Sequence, residues 1–130
     1  MTWFLNLRQF ATGGGVADQV SVLKDSVVCD GVPDEFLQAI RGRDVLLGTH
    51  GFAVSENSGI DELGAWGDLL DLGPNGVFVG VLWPGDSCWL PFLHYPVEYN
   101  EAIASGDLLA GFLESNFSAA ASLAFSSHSL

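Results

Sequence analysis

Four residues, Ser127-His128-Ser129-Leu130, follow the apolar run Ser122–Ser126. A serine at the end of a strand, set between small or compact residues, has the form of a nucleophile elbow, G-x-S-x-G. Small residues flank such a serine because its backbone is crowded. Ser127 takes the first small position and Ser129 that of the nucleophile, and the closing glycine would come directly after Leu130. The chemistry would be attack of a hydroxyl on an acyl carbon. That needs a base to take the proton and N–H donors to hold the oxyanion. His50-Gly51-Phe52 ends a second apolar run, Asp44–Thr49. Trp83, Trp89, Phe92 and His94 belong to a third region of interest, an aromatic loop that could border a substrate mouth. Cys29 and Cys88 are isolated, without metal spacing. They read as reduced thiols of a cytoplasmic protein, not as a zinc site or a disulfide. No metal or other cofactor is expected.

These residues need strands to carry them. Thr2–Phe10 alternates apolar Trp3, Leu5 and Leu7 with polar Asn6 and Arg8, a strand pattern. Gly13-Gly14-Gly15 reads as a turn, and the Val-rich segment Val20–Cys29 as a second strand or hairpin partner. Pro33-Asp34-Glu35 opens a short helix to Ile40. Asp44–Thr49, Val77–Trp83 and Ser122–Ser126 read as buried strands. Between them lie two helices. One begins at Ser58 and presents Ile60, Leu63, Trp66 and Leu70 on one face. The other spans Val97–Ser115 with Tyr99, Ala102, Ile103, Leu109 and Leu113 on one face. Alternation of strand and helix predicts an α/β fold: a mostly parallel sheet, helices on both faces, and an antiparallel N-terminal lead-in. Ligands of such sheets bind at the carboxyl ends of the strands. Those ends are His50-Gly51-Phe52, Trp83-Pro84-Gly85 and Ser127 onward.

Together the Ser-His-Ser-Leu, His-Gly-Phe and Trp-Pro-Gly motifs, in this order and spacing, resemble the alpha/beta-hydrolase family. The likeness is to a bacterial branch whose substrates are largely unassigned, and it runs from about Arg43 to Leu130. The helix carrying Tyr99, Ala102, Ser105, Leu109 and Phe112-Leu113 is similar to that branch as well. The resemblance implies a partial hydrolase sheet and an esterase- or lipase-like activity on a small-molecule acyl ester. It implies Ser129 as nucleophile and the backbone N–H groups of Phe52 and Leu130 as oxyanion hole, with His50 and Gly51 supporting the loop. Trp83, Trp89, Phe92 and His94 would line the pocket. His128 would pack, since neighbours on an extended strand point to opposite sides.

The family's order is serine, then Asp or Glu, then His. Only Leu130 follows Ser129. The expectation is therefore one domain incomplete at its C-terminus: a lead-in over 1–42 and the front half of a hydrolase core over 43–130. A serine without its base is a poor nucleophile. A terminal carboxylate, with an ordinary pKa of about 3.3–3.7, would add negative charge where the oxyanion develops. These 130 residues alone are expected to be inactive, and to self-associate through an uncovered sheet edge at Ser122–Ser126. The competing expectation is a non-catalytic binding module on the same half-fold. A nucleotide-binding reading is weaker, because no G-x-G-x-x-G follows a strand and no helix with a P-loop Lys follows Gly13–Gly15.

Composition narrows the field further. The chain has 130 residues, 48% of them hydrophobic and 15% charged, with four basic and 16 acidic residues and a net charge of −12. About 25% charged residues is usual, so bases are depleted and the chain suits a sheet covered on both faces. Nucleic acid requires clustered Lys and Arg, and only Arg8, Lys24, Arg41 and Arg43 are present. Apolar stretches are short and broken by Gly, Asp and Pro, so no membrane span is expected.

Overall fold

A computed structural model of the protein describes residues 1–12, 15–50, 55–84 and 91–127, over 91–101 the backbone alone. The elements are β1 (Trp3–Arg8), β2 (Val16–Lys24), β3 (Val27–Val28), α1 (Asp34–Ile40), β4 (Asp44–Thr49), α2 (Glu56–Leu69), β5 (Gly76–Leu82), α3 (Pro91–Asn116) and β6 (Ser122–Ser127). Among the described residues they form one six-stranded sheet in the order β3-β2-β1-β5-β4-β6. Strands β1, β5, β4 and β6 are mutually parallel, and β2 pairs antiparallel with both β1 and β3. The protein is therefore of the α/β class. No helix among the described residues is long and apolar enough to cross a membrane.

Side chains alternate across the sheet and define two layers. Trp3, Leu5, Leu7, Val45, Leu47, Val79 and Val81 share one face with Phe36 and Ile40 of α1 and Leu109 of α3. Phe4, Leu23 and Leu82 pack on the other face against Leu63 of α2. The α2 layer is close-fitting because glycines make room for aromatic rings. A Cβ on Gly48 would stand 2.5 Å from Phe78 Cε2, and one on Gly67 2.6 Å from Phe78 Cδ1. Glycine inside a strand marks such a close approach.

Several sequence expectations shift. Helix α2 starts at Glu56, not Ser58, because Ser55 is its N-cap: Ser58 N–H donates to Ser55 Oγ at 3.3 Å. Leu70 lies one residue beyond its end. Helix α3 starts at Pro91, not Val97, so Phe92 and His94 belong to a helix and not to a loop; within it Ser105 takes the buried position while Ile103 is exposed. Strand β1 lies between β2 and β5 and is covered on both sides, so Arg8 is buried with its apolar neighbours. β1 is thus both the start of the antiparallel lead-in and a member of the parallel block. Strand β6 is not buried. Leu123 and Phe125 are 37% and 60% exposed, because β6 pairs only with β4 among the described residues.

The amino ends of β4, β5 and β6 are tied by side chains. Ser122 Oγ donates to Asp44 Oδ1 at 2.7 Å, and Asn75 Nδ2 donates to Asp44 Oδ2 at 3.3 Å. These bonds, from Ser122 first and Asn75 second, hold the Asp44 carboxyl below its ordinary pKa. A depressed carboxyl stabilises the fold above its unfolded value, and the benefit is lost as pH falls through the folded value. Amide exchange in β6 is therefore expected to rise on acidification into the carboxylate range, corrected for intrinsic rates. In Asp44→Asn this extra rise should be absent. Equal acid sensitivity in both proteins would refute the Asp44 anchor.

Candidate functional site

Parallel strands bring their carboxyl ends to one edge of the sheet, and three polar side chains meet there. β4 ends at Thr49 and β5 at Leu82, so His50 and Trp83 leave neighbouring strands at nearly the same level. The Trp83 backbone N–H donates to His50 Nε2 at 3.0 Å. The Trp83 indole Nε1–H donates to the His50 carbonyl at 2.9 Å. The two rings stack at 5.7 Å between centroids with 9° between planes. His50 is 2% exposed. As an acceptor, Nε2 carries no proton in this arrangement, so the neutral ring holds its hydrogen on Nδ1. An Nε2 engaged in this way is a structural acceptor, not a base available to a substrate.

Helix α2 presses on the same point. A Cβ on Gly59 would stand 2.8 Å from Leu82 Cδ2 and 3.1 Å from His50 Cδ2. The glycine lets the helix pass directly over the imidazole. A cleft of about 300 Å³ lies beside His50 and runs along α2, lined by Glu62, Leu63, Ala65, Trp66 and Leu69.

The third side chain is Arg8. It is 4% exposed. Its Nη1 donates to the Trp83 carbonyl at 3.0 Å and its Nε to the Phe10 carbonyl at 3.0 Å. Sequence reasoning passed over Arg8, because one polar residue in an alternating strand resembles a solvent-facing position. Burial of β1 on both faces changes its meaning.

Of the residues singled out from sequence, His50 and Trp83 are brought together. Gly51, Phe52, Trp89, His128, Ser129 and Leu130 lie outside the described residues, as do Cys88 and the side chains of Phe92 and His94. Cys29 is half-buried. No group of three or more His, Cys, Asp or Glu among the described residues could hold a metal ion. Fold and site together define an α/β protein with a hydrogen-bonded polar cluster at the carboxyl edge of its parallel strands. The chain matches no family model, no curated protein and no solved structure.

Proposed function

We propose that the chain carries the nucleophile and oxyanion half of an alpha/beta-hydrolase-like serine hydrolase acting on carboxylic esters. One observation carries this reading. Strands β4 and β6 are adjacent, parallel and level at their ends, with Thr49 opposite Ser127. The last paired residues of the two strands thus stand about 4.8 Å apart. A hydrolase of this type builds its oxyanion hole from those two places: the loop after an early strand and the residue after the nucleophile. Ser129 would attack the ester carbonyl, and the N–H groups of Phe52 and Leu130 would receive the oxyanion. The neutral, hydrogen-bonded His50 agrees with the loop-supporting role of a histidine before such a loop. The same reading sets the chain in the cytoplasm, where two isolated cysteines stay reduced.

The test is fluorophosphonate labelling of the 130 residues alone and of the same residues joined to whatever the reading frame encodes after Leu130. The 130 residues contain no acid or histidine after Ser129, and they are expected not to be labelled. A continuation that supplies Gly, then Asp or Glu, then His should give labelling at Ser129, abolished in Ser129→Ala. A reading frame lacking those residues overturns the hydrolase assignment, as does a complete set of them with no labelling.

The exposed edge of β6 favours a second reading, in which the chain binds a partner or itself. Ser122–Ser127 has no charge and no proline, and it exposes Leu123 and Phe125. Unprotected apolar edges pair with other strands. Light scattering should show concentration-dependent association. Added salt should strengthen it by screening the −12 charge, and Phe125→Lys should weaken it. A monomer at every concentration and ionic strength excludes this reading.

A further inference from the structure

We propose that Arg8 is a positioning residue of this site. Through Trp83 it fixes the tautomer of His50 and the direction in which the chain leaves β4. The part of the inference that calls the following loop an oxyanion loop rests on the hydrolase reading. The clasp itself does not.

Arg8 lies where the regular pairing of β1 breaks. Pairing between β1 and β2 runs in register through Asn6 opposite Ser21, then shifts, so that Arg8 faces Val16. The extra residues of this shift lie in β2. Asn6 compensates locally, its Oδ1 accepting from the Arg8 backbone N–H at 3.0 Å. On the other side β1 runs parallel to β5 with Asn6 opposite Leu82, which leaves Arg8 and Trp83 both just past the paired segment. The guanidinium then bridges two carbonyls, of Phe10 and Trp83, from different loops.

From there the connection is unbroken. The Trp83 carbonyl is held by Arg8, its backbone N–H is spent on His50 Nε2, and its indole N–H on the His50 carbonyl. Trp83 is thereby held at its carbonyl and, through two donors, grips His50 at both ring and backbone. A peptide unit is planar, so holding the His50 carbonyl oxygen sets the orientation of the whole unit leaving His50. Arginine suits the position because one rigid fork presents several donors, whereas a lysine ammonium is a single point on a flexible stem.

Protein NMR on the 130-residue chain tests this without requiring turnover. Two signals report the clasp: hydrogen exchange of the Trp83 indole N–H, and the imidazole ¹⁵N pattern that distinguishes the Nδ1–H from the Nε2–H tautomer. Three variants are compared: Arg8→Met, Arg8→Lys, and Ile40→Val as a core change remote from the site. Arg8→Met is expected to raise Trp83 indole exchange at least tenfold over the change in the Trp3 and Trp66 indoles and to mix the His50 tautomers. Arg8→Lys should restore part of the protection, since one ammonium can hold one carbonyl. Ile40→Val should alter global stability without this local signature. Unchanged Trp83 and His50 signals in the Arg8 variants overturn the proposal. So does a loss that Ile40→Val reproduces at equal global stability. If Arg8→Met does not fold, Arg8→Lys against Ile40→Val decides alone. A failed hydrolase assignment would show as missing fluorophosphonate labelling of the extended chain and leave these signals untouched.

Discussion

Phe36→Ala is expected to cost about 3–5 kcal/mol of folding stability, the range for deleting a fully buried Phe. Phe36 has no exposed surface. Its ring meets Trp3 edge-on at 5.3 Å and Phe117 at 5.8 Å, so one side chain joins α1, β1 and the segment after α3. Each aromatic pair adds about 0.5–1.5 kcal/mol beyond area burial. Helix α1 has only seven residues, and Phe36 and Ile40 are its buried contacts. A helix that short does not persist without tertiary packing. Urea titration should therefore show a large fall in midpoint, and amides of α1 should lose protection before those of β4 and β5. A loss below about 1 kcal/mol would show that α1 is not docked through this ring.

Gly80→Val is expected to be nearly as damaging, at about 3 kcal/mol or slightly more, the upper range for overpacking. Gly80 lies in β5 beneath Phe4. A Cβ there would stand 2.5 Å from Phe4 Cδ1, 2.7 Å from Cε1 and 3.4 Å from Leu63 Cδ1. Phe4 is 1% exposed and cannot swing out to solvent. Gly111 in α3 supplies the opposite case, since a Cβ there meets nothing within 4 Å. Gly111→Ala removes the entropic penalty of a helical glycine and should raise stability by about 0.5–1 kcal/mol. Opposite signs in paired urea titrations would support glycine packing as the device that joins α2 to the sheet. Losses of similar size at both positions would reject it.

Much of the scaffold is legible in local pattern. The runs Asp44–Thr49 and Val77–Trp83, closed by strong stop signals, mark β4 and β5 nearly to the residue. Pro33 with Asp34 and Glu35 marks the start of α1. Their alternation with helices is enough to predict a mostly parallel sheet. The site is half legible. His50 and Trp83 each stand out at the end of an apolar run, but they are 33 residues apart, and no spacing rule connects them.

Order of burial within the sheet is only partly legible. Strand β6 lies at the edge, in line with the uncovered edge expected at Ser122–Ser126, though its composition is that of a buried strand, and β1 alternates apolar and polar residues yet lies in the middle. A local pattern records what surface a segment presents. It does not record which element will cover it, because that depends on strand order, and strand order is a long-range property. Arg8 shows the consequence. By sequence it is one of four basic residues in an acidic chain; by position between β2 and β5 it is a buried clasp on Trp83. The amino-acid sequence by itself determined the α/β class, the parallel run of strands and the motifs carried at their carboxyl ends. Tertiary structure alone decided that β4 and β6 end side by side, and that Arg8, Trp83 and His50 meet. Side-chain periodicity is written along the chain, whereas adjacency is settled only when the sheet closes.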